Sequence, residues 1–166
     1  MLTSANAMAL NSRLSTSHTC WASAAVLQQD GVRGKVASML GYLVADDEVA
    51  HVDVSISGTE RTTDIARAAV FTKDKVVVVD INGHAAVTST VVARDALRSL
   101  RLHDVPNLIA GGFGDGSPLR VALDYGSAFE EVTVLQLGHT GQTPRNAQEL
   151  QDFLPSLVSD IARAHE

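Results

Sequence analysis

Ala68-Ala69-Val70-Phe71-Thr72-Lys73-Asp74-Lys75-Val76-Val77-Val78-Val79 is a pair of apolar runs separated by a short polar reversal. Residues 65–72 read as one strand and residues 75–81 as the next. A connection as short as Lys73-Asp74 forces such a pair to run antiparallel. Upstream, Val52, Val54 and Ile56 alternate with His51, Asp53, Ser55 and Ser57. That is the period of a half-buried strand, with a turn over residues 58–62 joining it to the hairpin. Downstream, Asn82-Gly83 makes the next turn, both residues tolerating positive φ. A fourth strand over 87–92 follows, dense in Val and Thr.

Beyond it the pattern loosens. A turn over 93–95 and a strand over 97–103 are expected, although Ala93, Ala96, Leu97 and Leu100 also fit a helix. Residues 105–117 form the longest irregular stretch, with glycines at 111, 112, 114 and 116. Strands over 119–125 and 131–137 complete the set, joined at Gly126-Ser127. Helices flank the strands. Asp30 is a candidate N-cap for a helix carrying Val32, Val36, Met39, Leu40 and Leu43 on one stripe, its first turn weakened by Gly31 and Gly34. The last segment opens at Thr143-Pro144, with Asn146 and Glu149 as an alternative capping box. Leu150, Phe153, Leu154, Leu157, Val158 and Ile161 then form a wide apolar face. Pro155 is expected to kink this helix or mark its true start.

Composition narrows the class. The chain has 166 residues, 45% of them hydrophobic, enough for one domain with a sizeable core. No apolar run approaches the roughly 20 residues that cross a bilayer as a helix. The net charge of -6 argues against nucleic acid as partner. The charge is uneven: residues 1–45 sum to +2, leaving -8 on the remainder. Cys20 is the single cysteine, so no intrachain disulfide can form, in keeping with a reducing cytoplasm. Residues 2–12 lack Lys and Arg, so no secretory signal is read there. Residues 1–20, rich in Ser, Thr, Ala and Asn, are expected to be a mobile tail. Residues 21–45 are expected to form a helical segment in which Trp21 docks on the body, and 46–166 a β domain with its C-terminal helix.

The order of helix, about seven strands in antiparallel succession and one amphipathic C-terminal helix resembles the pleckstrin-homology-like fold of bacterial proteins. The residues that carry the resemblance are the hairpin 68–79, Thr90-Val91-Val92 followed by Asp95-Ala96-Leu97-Arg98-Ser99-Leu100, and the helix over 150–161. It covers roughly residues 44–164. The resemblance implies a mainly β, PH-like antiparallel barrel of about seven strands, stoppered by the final helix and serving binding or assembly without a catalytic centre. An open α+β antiparallel sheet is the alternative. In members that bind phosphoinositides the first strand–strand loop carries clustered Lys and Arg. Here only Arg61 and Arg67 are anion candidates, with Glu60 and Asp64 beside them, so phosphoinositide binding is disfavoured.

Chemical motifs are sparse. Gly112, Phe113, Gly114 and Asp115 lie in the glycine-rich stretch, but Pro118 and a strand follow, with no Gly-Lys-Ser/Thr. A partner-contacting loop with Phe113 at its tip is therefore preferred to a phosphate cradle. None of the six histidines lies one, three or four residues from another, so no local metal pair exists, and surface positions are expected for them. There is no Gly-x-Ser-x-Gly elbow. Arg94, Arg98 and Arg101 are expected to make ordinary ion pairs. No catalytic, cofactor or metal residues are assigned. The expectation is a non-enzymatic protein-interaction or self-assembly module of the bacterial cytoplasm, with a protein partner or a second copy. A small-ligand site between sheet and C-terminal helix is the alternative. The third reading is an enzyme using a tertiary pair, His51 or His103 with Asp53 or Asp104.

Overall fold

A computed structural model of the chain describes residues 4–29, 31–57, 65–84, 86–106, 119–129 and 134–166. Four strands, β1 (His51–Ser57), β2 (Ile65–Phe71), β3 (Lys75–Ile81) and β4 (Val87–Ala93), form one antiparallel meander in that order. Three more, β5 (Ser99–Asp104), β6 (Arg120–Asp124) and β7 (Val134–Leu137), form a second. The helices are α1 (Ser4–Ser17), α2 (Ala25–Gln28), α3 (Val32–Val44) and α4 (Pro144–Ala164). Among the described residues no helix is long and apolar enough to cross a membrane.

The first sheet is buried on both faces, which explains why its central strands are continuous apolar runs and not alternating ones. One face presents Val52, Val54, Ala68, Val70, Val77 and Val79 to Leu14, Trp21, Val36 and Leu40 of the N-terminal segment. The other presents Ala69, Phe71, Val76 and Val78 to Leu123, Leu135 and Leu137 of the second sheet and to Leu150, Phe153 and Leu157 of α4. β1 therefore departs from the half-buried expectation. Its polar residues His51 and Asp53 are as buried as the valines between them.

The barrel expected from the resemblance is not closed among the described residues. β4 pairs with β3 and β5 with β6, but β4 and β5 do not pair. A 3-10 turn, Arg94–Ala96, takes the chain out of the first sheet, and Leu97 is sealed behind it. α4 packs against β1, β5 and this turn. It starts at Thr143, whose side chain accepts from the Asn146 N–H at 3.2 Å, and runs through Pro155 without restarting. Asn146 does not serve as a cap. Of the expected apolar face, Leu150, Phe153 and Leu157 are buried, whereas Val158 is exposed.

The N-terminus is a correction. In place of a mobile tail, α1 docks Leu10 and Leu14 on the core, and Trp21 is buried with its indole N–H donating to Asn11 Oδ1 at 3.0 Å. Two leucines one turn apart suffice because α3 and β1 cover them, and tertiary packing of this kind outweighs weak local propensity. At α3 the N-cap position is Gly31, at φ 75°, and Asp30 lies outside the described residues. The turn at Asn82 also differs from expectation. No positive φ occurs at Asn82 or Gly83, and the Asn82 Oδ1 accepts from the His84 and Ala86 N–H groups. The turn over 58–62, Arg61 and the candidate loop residues Gly112, Phe113, Gly114 and Asp115 lie outside the described residues.

Candidate functional site

A buried polar cluster forms where β1 meets the connection from β7 to α4. Asp53 points from β1 into the interior and is 3% exposed. Its Oδ2 accepts from the Gly138 N–H at 3.0 Å, and its Oδ1 lies 3.0 Å from His139 Nε2. That same Nε2 is 2.8 Å from the Gln136 carbonyl. Both neighbours are acceptors, so Nε2 carries the proton and shares it between them. Gly138 sits at φ 80°, and a Cβ there would run into the Leu119 carbonyl, so glycine is required where the backbone turns its N–H onto Asp53.

Two further histidines frame the carboxylate. His51, fully buried on β1, stacks on Phe153 with ring centroids 5.0 Å apart. Its Nε2 is 3.9 Å from Asp53 Oδ2, beyond a hydrogen bond, and neither ring nitrogen has a partner among the described residues. His18 closes α1 onto the same connection. Its Nε2–H donates to the Thr140 carbonyl at 3.1 Å and its Nδ1 accepts from the Cys20 N–H at 3.0 Å. A short antiparallel bridge between His18 and Gln142 fixes this contact. Asn146 completes the seam, its side chain donating to the Val52 carbonyl at 2.7 Å.

Electrostatics follow from burial and pairing. Burial alone raises the Asp53 carboxyl, but the His139 hydrogen bond, with His51 adjacent, outweighs it and holds the group below its ordinary value. Burial alone lowers His139, and the Asp53 carboxylate and the Gln136 carbonyl outweigh it, so this imidazole stays charged above its ordinary value. His18 is lowered, by burial first and by the charge on His139, with the Thr140 carbonyl opposing. The direction agrees with its geometry, since a protonated Nδ1 would face the Cys20 N–H.

An aspartate orienting a histidine is half of a catalytic relay, yet here both carboxylate oxygens are spent joining β1 to residues 138–139. Cys20 is exposed, and its Sγ has Thr19 Oγ1 at 3.7 Å as its neighbour. Among the described residues no group of three or more His, Cys, Asp or Glu side chains is placed to hold a metal ion. His103 and Asp104, the other expected pair, lie on β5 away from this cluster. His103 is exposed, and Asp104 accepts from the Val105 N–H. The histidines were expected at the surface. His18 and His51 are buried instead, His139 reaches Asp53, and His18 reaches the adjacent Thr140 carbonyl, through contacts that no local spacing announces. The outward signal was the pair Gly138 and Gly141. Gly141 is at φ 92°, where a Cβ would sit 2.6 Å from the His18 ring.

The unpartnered state of His51 gives a direct test. His51→Phe keeps the stack on Phe153 and removes two unsatisfied nitrogens. It is expected to leave thermal stability unchanged or raise it by about 1 kcal/mol. A clear loss in a melting experiment would show that the imidazole has a partner in solution.

The other candidates are placed as follows. Arg67 is committed to Asp80 across β2 and β3, Nε–Oδ1 2.6 Å and Nη2–Oδ2 3.3 Å, and so is not free to clamp an anion. The space between the sheets and α4, where a ligand was the alternative expectation, is filled by Leu150, Phe153 and Leu157. Open grooves of about 690 Å³ and about 480 Å³ lie instead along α1, the first lined by Met8, Arg33 and Ser38 and the second by Arg13, Asp46 and Val49.

One surface remains open in the backbone sense. β4 is a seven-residue edge strand with no charged residue and no proline, exposed at Thr88, Ser89, Val91 and Ala93. Among the described residues no strand pairs with its outer side. The edge formed by β5 is guarded by Arg101, His103 and Asp104 and by a register shift between Leu102 and Asp104. β1 lies against β7, and Asn146 occupies the Val52 carbonyl. Comparison with protein-family models, with curated proteins and with solved structures finds no match for the chain.

Proposed function

We propose that the chain is a non-enzymatic protein-interaction and assembly module of the bacterial cytoplasm, PH-like in organisation, which meets its partner along the outer edge of β4. Two antiparallel meanders, of four and three strands each in chain order, with Leu150, Phe153 and Leu157 of the final helix turned inward, support the PH-like part of this reading. The observation that carries the interaction part is the edge itself. A long, uncharged, proline-free strand whose outer side meets no other strand among the described residues is a template for another strand. The Asp53 cluster supports a scaffold over an enzyme, since its polar atoms hold β1 to residues 138–139.

The test is photocrosslinking in cells, with a photoreactive phenylalanine analogue in place of Thr88 and, as control, in place of Arg145 on the exposed face of α4. Covalent adducts to protein are expected from position 88 and not from 145. Adducts absent from position 88 would overturn the reading.

A further inference from the structure

Val87-Thr88-Ser89-Thr90-Val91 reads the same in both directions, and it lies on the edge strand β4, which carries neither charge nor bulge. We propose that β4 pairs antiparallel with β4 of a second copy of this chain across a two-fold axis at Ser89, joining the two four-stranded sheets into one. The proposal deepens the interaction reading above by naming the partner and the register.

Backbone geometry fits this register. Along a strand, the N–H and C=O groups of successive residues point to alternate sides. The Arg94 N–H donates inward to the Asp74 carbonyl, and the Ala86 carbonyl accepts inward from Asn82. Counting between them, residues 88, 90 and 92 turn their backbone groups toward β3, and Val87, Ser89 and Val91 turn theirs outward. With the axis at Ser89, Ser89 meets Ser89 of the partner subunit and Val87 meets Val91 of the partner subunit. Each of these becomes a hydrogen-bonded pair.

Side chains fit as well. Val87, Ser89 and Val91 share the face that packs toward α3, since they pair with Ile81, Val79 and Val77, all of which lie in that core. Thr88 and Thr90 share the opposite face. The palindrome therefore sets valine against valine on one face and threonine against threonine on the other, both favourable cross-strand pairs. Val91, 46% exposed in the single chain, gains an apolar neighbour.

Charge points the same way. Each copy carries -6, so two copies repel wherever carboxylates face each other. The strip 87–93 has no ionisable side chain, so the copies meet there without opposing charges, and a two-fold contact closes on itself without growing into a filament.

The experiment uses the full chain with Cys20→Ser as background. Ser89→Cys is expected to form a disulfide-linked dimer under mild oxidation. Hydrogen-bonded antiparallel pairs hold their Cα atoms about 5.5 Å apart, within the ~4.4–6.8 Å span of disulfides. Thr90→Cys is expected to stay unlinked, because Thr90 meets Thr88 of the partner subunit, whereas the combined Thr88→Cys and Thr90→Cys variant links. By light scattering the parent chain is expected at twice the mass of one 17.5 kDa chain, and Val91→Lys at the single-chain mass with unchanged circular dichroism. Linkage through Thr90→Cys without Ser89→Cys would overturn the register. A single-chain mass at every concentration, with no linkage, overturns the self-pairing. In that case, adducts to a different protein from position 88 leave the interaction reading standing, and their absence removes both.

Discussion

Asp160→Ala is expected to lower folding stability by about 3 to 5 kcal/mol, the usual loss when one member of a buried ion pair is removed. Asp160 is fully buried on α4 and accepts from Arg94 Nε at 2.8 Å. Arg94, 3% exposed, also donates to the Thr72 carbonyl at 2.9 Å and to Ser156 Oγ at 2.7 Å, and its guanidinium lies 5.1 Å above the Phe153 ring. This one side chain ties the hairpin turn at 72–74 and the 3-10 turn after β4 to the helix that seals the second core. Without the carboxylate a cation remains buried with only neutral acceptors, and the corner between the two sheets loosens. Arg163, which also bonds Asp160, is half exposed and returns to water. Urea titration is the measurement, with a parallel fall in Tm of roughly 10 °C. The paired replacement of Arg94→Met with Asp160→Leu is expected to recover most of the loss, because apolar groups of similar volume leave no charge stranded. A loss under about 1 kcal/mol for Asp160→Ala, the size of an exposed pair, would contradict this account of the corner.

The contrast between Arg94 and the hairpin beside it shows where sequence reading stops. Residues 68–79 declare their structure locally: two apolar runs, a two-residue polar reversal, and only one pairing open to them. α4 is equally legible, since Thr143-Pro144 fixes its start and Leu150, Phe153 and Leu157 recur at helical spacing. Arg94 carries no such signal. Its partner is 66 positions away and becomes a neighbour only once α4 has docked. α1 fails for the same reason, as its serines, alanines and asparagines hide two leucines whose cover comes from α3 and β1. β1 misleads in a different way. Its alternation of His51, Val52, Asp53 and Val54 is the period of a sheet facing water, and it faces water only if nothing satisfies the polar side. Here Gly138 and His139 satisfy Asp53 from across the fold, while His51 is covered by its stack on Phe153. The β4 palindrome was visible in the sequence, but its standing as an edge follows from the chain leaving the sheet at Arg94.

The Asp53–His139 pair is expected to make stability depend on pH in a direction that its two shifts fix. The folded-state value of His139 lies above the ordinary 6.5, so its contribution is complete below that value and is lost as pH rises through the raised one. Asp53 lies below the ordinary 3.8, so its contribution is complete above that value and is lost as pH falls through the lowered one. Both are therefore fully present between 3.8 and 6.5. Asp53→Asn is expected to cost about 3 kcal/mol near pH 5.5, since it removes the buried carboxylate that favours the charged His139 and sets an amide NH2 against either the Gly138 N–H or the His139 Nε2–H. His18 acts in the opposite sense. Its lowered value means that its contribution is present above 6.5 and is lost on acidification, which flattens the curve of the parent protein. The quantity to measure is therefore the difference in urea stability between the parent and His139→Gln, in which most of the His18 effect cancels. Asp53, His51, His18 and Arg120 are the charged or titratable groups acting on this seam, and all four remain in His139→Gln. The difference is expected to be largest at about pH 5.5 and to shrink toward about pH 8.5 and above. A difference that stays flat over that range would mean that His139 titrates in the folded protein where it does in the unfolded chain, so that the Asp53 carboxylate gives its charged form no net advantage.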